Sequence, residues 1–256
     1  MTKQAIFAGL EGKKALVTGA SRNIGQGIAL RLAEAGCDLT VAAQANREGL
    51  DQTVERAREF GVNATGVLAD LATAQGCADL LAEAAATMGQ VDALVHTVAI
   101  RPHQPFETLE FEQWEHVRSL VLDSAMHLCL GTLPGMGARG FGRVVLFTGI
   151  GSYRGSAHRA HISAAKLGLV GLARGLAREY AARNVRVNVL SPGTIDTERA
   201  NPEWYGNNPP SAKGIPMDRR GTVAEVADST IFLLSDAAGF VTGQTLHVNG
   251  GEAFYG

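Results

Sequence analysis

The sequence predicts an α/β fold: one mostly parallel sheet, buried on both sides, with helices on both faces. Three observations carry this. Apolar, β-prone runs alternate along the chain with amphipathic segments of helical length, the pattern of successive βαβ crossovers. The strand segments ALV, VVLF and VNVL are continuously apolar, as strands covered on both faces are. Glycine is in excess, at 31 of 256 residues, and much of it sits at the edges of apolar runs, where strand-to-helix turns need it.

In chain order, Lys14 to Thr18 (KALVT) is the first strand. A glycine-containing turn follows, then a helix with Ile28, Leu32 and Ala35 on its apolar face. Asp38 to Ala42 is the second strand, and Arg47 to Phe60 a charged surface helix. Val62 to Asp70 is the third strand, with a helix from about Thr73 to Met88. Asp92 to Thr97 and Gly142 to Thr148 are the fourth and fifth strands, followed by helices over Phe111 to Leu133 and His161 to Ala182. Val185 to Leu190 is the sixth strand. A helix over Ala224 to Leu234 then leads to a short seventh strand, Thr245 to Val248. No repeat, linker or low-complexity tract divides the chain, which predicts one domain over residues 1–256. Thr194 to Arg220 stands apart, with four of the eight prolines, two adjacent asparagines, Trp204 and Tyr205. So long a loop in a compact domain is expected to serve as a substrate lid.

Apolar residues make up 46% of the chain and charged residues 19%, too hydrophobic a balance for intrinsic disorder. A net charge of -2 leaves no electrostatic footprint for nucleic acid or an anionic membrane. The longest charge-free stretches, such as Ser124 to Ala138, are short and contain Gly and Pro, whereas a spanning helix needs about 20 apolar residues. No membrane partner is expected. The opening MTKQAIFAGLEGKK has no apolar core and no small-residue cleavage site, which predicts a cytoplasmic protein. Cys37, Cys77 and Cys129 lie far apart without CxxC spacing, so they read as small core residues in a reducing compartment. His158 and His161 lack a third ligand, and no metal is expected.

The first strand runs into Thr18-Gly19-Ala20-Ser21-Arg22-Asn23-Ile24-Gly25 and then a helix. A turn in this place offers backbone N–H groups and a helix N-terminus to a pyrophosphate. Glycine is needed wherever a side chain would block the phosphates.

TGASRNIG resembles the TGxxxGxG motif of the short-chain dehydrogenase/reductase family. The resemblance continues through Asp70, VDALV, GRVV, Lys166, RVNVLSPGTIDT (Arg186 to Thr197) and FVTGQTLHVNGG (Phe240 to Gly251), and it spans residues 10 to 251. It implies a single Rossmann domain with a seven-stranded parallel sheet. It also implies a homotetramer or homodimer built on the two long helices over Phe111 to Leu133 and His161 to Ala182. The family's middle glycine is Asn23 here, and asparagine tolerates left-handed backbone better than most residues.

The family's NAD-binding members close the second strand with an aspartate, and Ala43 followed by Gln44 stands there instead. Arg22 in the turn and Arg47 beyond the second strand supply guanidinium groups suited to a phosphate. NADP(H) is therefore expected over NAD(H). The resemblance further implies that Asp70, with Leu71 beside it, meets the adenine ring. It implies that Thr148, Lys166, Pro192, Gly193, Ile195 and Thr197 hold the nicotinamide half, alongside Gly19, Ser21, Arg22, Asn23, Ile24 and Gly25 at the phosphates.

The family's chemistry rests on Asn, Ser, Tyr and Lys. Lys166 matches the lysine. The tyrosine position, one helical turn earlier, holds Ile162; the serine position holds Gly149 and the asparagine position Val121. The family's NNAG segment reads His96-Thr97-Val98-Ala99. An isoleucine carries no proton, so the usual carbonyl mechanism cannot run from that position. His161 titrates in the useful range and resembles a histidine near this position in some enoyl-thioester reductases of the family. Tyr153, on the loop after Gly149, is a second substitute, with His158, His96 and Asp123 as further candidates. Each also reads as an ordinary packing or surface residue. Arg101, Pro102 and His103, together with Trp204 and Tyr205, are positioned to form an aromatic, cationic pocket for an acidic or thioester substrate.

The leading expectation is an NADP(H)-dependent oxidoreductase reducing a small-molecule carbonyl or conjugated C=C, with Lys166, His161 and Tyr153 as catalytic candidates. Two alternatives stand beside it: a catalytically silent NADP-binding or structural member, and a non-redox enzyme on the same scaffold.

Overall fold

The computed structural model describes residues 7–198 and 211–255. Strand β1 (Lys14–Thr18) turns into helix α1 (Asn23–Glu34), and β2 (Asp38–Ala43) leads to α2 (Arg47–Arg58), whose N-terminus is capped by the Asn46 side chain. β3 (Ala64–Leu68) is followed by α3 (Ala74–Met88), capped by Thr73 and closed by left-handed Gly89. β4 (Ala93–His96), β5 (Gly142–Phe147), β6 (Val185–Pro192) and β7 (Thr245–Val248) complete one seven-stranded sheet in the order β3-β2-β1-β4-β5-β6-β7. Every neighbouring pair is parallel. The order reverses between β1 and β4, and that switch point opens a crevice at the carboxyl ends of the strands.

The continuous apolar strands are explained by two cores, one on each face. Within β1, Ala15 and Val17 pack with Ile28, Leu32, Leu50 and Ile231, while Leu16 faces Leu80, Leu128 and Leu169 on the other side. Each such leucine or isoleucine, fully withdrawn from water, contributes roughly 1.5–3 kcal/mol. The three cysteines belong to these cores, and burial pushes the Cys37 and Cys129 thiols up to about 12. No helix among the described residues is long and apolar enough to cross a membrane.

Three segments differ from the sequence expectation. The helix expected over Phe111 to Leu133 is two helices, α4 (Phe111–Arg118) and α5 (Ser124–Arg139), joined by a wider π-helical turn at Ser119–Asp123. A π-turn of five residues adds one residue to the repeat, a shift too short for patterning to mark. The helix also runs through Pro134 and stops at left-handed Gly140. After β5, Ile150–Arg154 forms a short helix, α6, where a loop is expected. Helix α7 (Ala160–Tyr180) then returns the chain to β6.

Beyond β6, the two described ends of the proline-rich segment are tied together: Gly221 N donates to Thr194 O (3.0 Å) and Asp196 N to Gly221 O (2.8 Å). Helix α8 (Val223–Leu234) follows, opened by a capping box of Thr222 and Glu225. Trp204 and Tyr205, assigned to the lid, lie outside the described residues.

His96 ends β4 fully buried, with Nδ1 3.0 Å from Thr18 Oγ1 and Nε2 3.1 Å from Ser124 Oγ. Because Ser124 Oγ donates to Leu120 O (2.6 Å), it accepts from His96 Nε2–H, and Thr18 donates to Nδ1. Burial holds the imidazole down to about 3, so it stays neutral and ties β1, β4 and α5 together. His96 is a structural residue here.

Candidate functional site

A cleft of about 560 Å³ lies over the carboxyl ends of the strands. Its first wall is the β1–α1 turn. Gly19 (φ +70°) and Asn23 (φ +52°) both adopt left-handed backbone, which asparagine tolerates better than most residues. The Asn23 side chain also pairs with the backbone of Glu198: Nδ2 donates to Glu198 O and Oδ1 accepts from Glu198 N, both at 2.9 Å. Gly25 is required sterically. A Cβ there would stand 2.7 Å from the Gly19 carbonyl carbon and closer still to its oxygen, inside the 3.0 Å that real Cβ atoms respect. Thr97, in the segment that stands for the family's NNAG, supports the turn from just beyond β4 by donating to Thr18 O at 2.6 Å.

Helix α1 begins without a side-chain cap and without an acidic residue in its first turn. Its leading N–H groups and positive dipole end therefore suit an anion. Gly19, Ser21, Arg22, Asn23, Ile24 and Gly25 all line the cleft, as do Leu71 and the chain ends of β5 and β6 with Thr148, Pro192, Gly193, Ile195 and Thr197. Ala42, Ala43 and Gln44 form the wall at the end of β2.

Two of the expected cofactor residues sit off this wall. Arg47, at the exposed start of α2, reaches Gly66 O (3.4 Å) and Asp51 (3.5 Å). Asp70 accepts from Gln44 Nε2 at 3.2 Å, so it backs the wall through Gln44.

Lys166 projects from α7 into the cleft, although it is itself buried. Its Nζ donates to Phe147 O (2.7 Å) and Val98 O (3.3 Å), which hold the amine between the ends of β4 and β5. Burial, reinforced by the charge of Arg101, lowers its pKa to about 7. Arg159, Ser163 and Lys166 line one wall at the i, i+4, i+7 spacing of a single helix face. That period, counted back from Lys166, is the signal by which the sequence could have revealed Arg159 and Ser163.

His161 and Tyr153 are not on the walls. His161 lies between the cleft-facing positions of α7; it is buried, its Nε2 has no hydrogen-bond partner among the described residues, and burial followed by the Arg159 charge lowers its pKa. Tyr153 is rotated away by helix α6. Its ring packs edge-on against His247 (centroids 4.8 Å apart) and beside Tyr255 (5.1 Å), and its hydroxyl donates to Thr245 Oγ1 at 3.3 Å. Asp123 pairs with Arg118 at 3.0 Å.

Gly149, by contrast, lines the cleft, and a Cβ on it would meet open space. Ile162 is buried in the core, as is Val121 in the π-turn. Arg101 lines the cleft, while His103 Nε2 stands 2.6 Å from Arg159 Nη2. Arg154 is a further wall residue, paired with Glu252 at 3.0 Å. Among the described residues no cluster of His, Cys, Asp and Glu has the makings of a metal site.

Residues 19–252 match a family model described as enoyl-(acyl carrier protein) reductase. An acetoacetyl-CoA reductase of Rhizobium meliloti (strain 1021) is 39% identical over 245 residues, covering 94% of this chain and 98% of the relative. A 3-oxoacyl-(acyl-carrier-protein) reductase of Escherichia coli (strain K12) is 34% identical over 241 residues, covering 94% and 97%. A crystal structure described as a short-chain alcohol dehydrogenase from Sinorhizobium meliloti 1021 superposes with a TM-score of 0.88 at 33% identity, covering 96% and 98%. The chain belongs to the short-chain dehydrogenase/reductase family.

Proposed function

We propose that the chain is an NADP(H)-dependent oxidoreductase that reduces a small-molecule carbonyl or conjugated C=C without the family's tyrosine. One observation carries this reading: a single cleft contains both the uncapped N-terminus of α1, at the glycine turn, and the buried amine of Lys166. The relatives are named as reductases, which supports the reaction class. The absence of a carboxylate at Ala43 and Gln44, with Arg22 on the wall, favours a phosphorylated ribose. That preference rests on Arg22, since Arg47 lies off the wall.

The bound nicotinamide would supply the hydride. The proton is assigned to Lys166: with a pKa lowered to about 7, Nζ holds and releases a proton near neutrality. The carbonyls of Phe147 and Val98 orient it. Its placement on the wall favours it over His161 and Tyr153. By the family resemblance, Ile162, Gly149 and Val121 replace tyrosine, serine and asparagine, which makes the site atypical. Exposed apolar side chains, Met126 and Leu130 on α5 and Leu167 on α7, support self-association through those helices.

The test is NADPH oxidation with 3-oxoacyl and enoyl thioesters. Substrate-dependent oxidation that is lost in Lys166→Met is the expected result; none with any substrate would favour the silent NADP-binding reading, to which buried Ile162 lends weight. Ile162→Tyr alone is expected to leave carbonyl reduction within about tenfold of wild type, a change near 1.4 kcal/mol. The new hydroxyl would lack its partners at Gly149 and Val121. A hundredfold gain in kcat would show that one residue restores the usual chemistry, and would overturn this reading of the site.

A further inference from the structure

We infer that Glu252 is a positioning residue for the nicotinamide of the cofactor, acting through the backbone of Thr194. The inference rests on the reductase reading and adds to it a residue that no motif marks. The resemblance in sequence closes at Gly251, one position earlier.

A tight turn after β7 delivers the carboxylate. Gly250 (φ +61°) and Gly251 (φ +82°) both take left-handed backbone, which glycine adopts without strain. Asn249 closes the turn: its Oδ1 accepts from Gly251 N (3.0 Å), its carbonyl from Glu252 N (3.0 Å), and its Nδ2 donates to Ala253 O (2.8 Å). Glu252 is thereby brought against the exit of β6. The approach is close: a Cβ on Gly193 would stand 2.7 Å from Asn249 Cβ and 2.9 Å from Glu252 Oε2, so only glycine permits it.

Both carboxylate oxygens are engaged. Oε2 accepts from Thr194 N (3.0 Å), and Oε1 pairs with Arg154 Nη1 (3.0 Å) on α6. The Glu252 side chain is only 8% exposed, so its charge depends on those partners. Arg154, half in water, supplies the counter-charge. An N–H bond to a carboxylate is of the stronger, charge-assisted kind. Thr194, Arg154 and Glu252 all line the cleft. Thr194 stands between Gly193 and Ile195, which the family resemblance assigns to the nicotinamide half. Holding its amide holds that stretch, and on the other side Thr194 O accepts from Gly221 N (3.0 Å). The β1–α1 turn and the end of β2 form other walls of the cleft, and neither supplies these two partners. Loss of Glu252 should therefore be felt at the nicotinamide and spare the rest of the cofactor.

The experiment is calorimetric titration of the full chain and its variants with NADPH and with 2′-phospho-ADP-ribose, which keeps everything but the nicotinamide ring. Glu252→Ala is expected to weaken NADPH binding by about tenfold or more, as loss of a charge-assisted hydrogen bond allows. Its affinity for 2′-phospho-ADP-ribose should stay within about twofold of wild type, a change below 0.5 kcal/mol. Glu252→Gln keeps an oxygen for Thr194 N–H and should recover most of the NADPH loss. Should Glu252→Ala fail to fold, Glu252→Asp takes its place with the same expectation, since the shorter side chain withdraws the oxygen from Thr194. Equal losses for the two ligands would make Glu252 a residue of general stability and overturn the inference. So would NADPH affinity that survives Glu252→Ala, or a Glu252→Gln variant as weak as Glu252→Ala, since the charge on Arg154 would then be what matters. Wild-type protein that binds no NADPH would remove the reductase reading itself, an outcome distinct from bound NADPH that ignores Glu252.

Discussion

Gly25→Ala is expected to weaken NADPH binding by at least about 100-fold and to lower stability by roughly 1–3 kcal/mol, the cost of inserting a methyl group where none fits. The methyl would press on the Gly19 carbonyl, with its carbon 2.7 Å away, and meet Thr97 Oγ1 at 3.0 Å. Neither contact is with the end of a flexible side chain. Gly19 is held in left-handed backbone, and Thr97 is fixed by its bond to Thr18 O. Relief therefore requires the turn to open, which carries the leading N–H groups of α1 away from the phosphate position. Gly149→Ser is the contrasting case: its Cβ enters open space at φ 178°, a backbone any residue adopts, so stability should stay within about 0.5 kcal/mol. Urea denaturation and NADPH calorimetry on both variants check this. Wild-type affinity in Gly25→Ala would show that the turn does not bind phosphate.

Lys166→Met is expected to reduce turnover by about 100-fold or more, in the range that general acid–base groups supply. Its effect on stability should depend on pH. The folded-state pKa is about 7 against an ordinary value of 10.5, so between these values the unfolded chain binds the extra proton. Stability then rises with pH across that window, and the lysine's penalty is full below about pH 7. Wild type should gain ~2 kcal/mol on Lys166→Met between pH 7 and pH 9. Below pH 7 the difference should flatten, because both states then carry the proton. A difference that stays constant from pH 7 to pH 9 would mean that the amine is not held at a lowered pKa. Undiminished turnover would remove Lys166 from the chemistry.

The parallel sheet was legible because strands buried on both faces read as unbroken apolar runs, and because β1, β5 and β7 are bounded by glycine and polar turns. The π-turn at Ser119–Asp123 and the extension through Pro134 were not: the turn's phase shift is confined to five residues, and a proline normally ends a helix. At the site, the phosphate turn was visible in its glycines, and the left-handed Asn23 followed from the tolerance of asparagine for that backbone. Side-chain direction was harder to read. Tyr153 follows Gly149 where the sequence predicts a loop, but α6 turns it towards His247 and Tyr255. His161 lies about 100° around α7 from Ile162 and turns away from the cleft, whereas Arg159 and Ser163 share the face of Lys166. The place of Arg47 after β2 suggests a phosphate ligand, yet it starts an exposed helix and bonds Gly66 O.

Cofactor binding at the glycine turn underlies both the hydride chemistry and the role of Lys166, so it is the claim to test directly. The measurement is calorimetric titration of the purified protein with NADPH, NADP, NADH and NAD. Micromolar binding selective for the phosphorylated pair, lost in Gly25→Ala, is the predicted result. No binding of any of the four would contradict it, removing hydride transfer and leaving the cleft to a non-redox reaction or to a structural role.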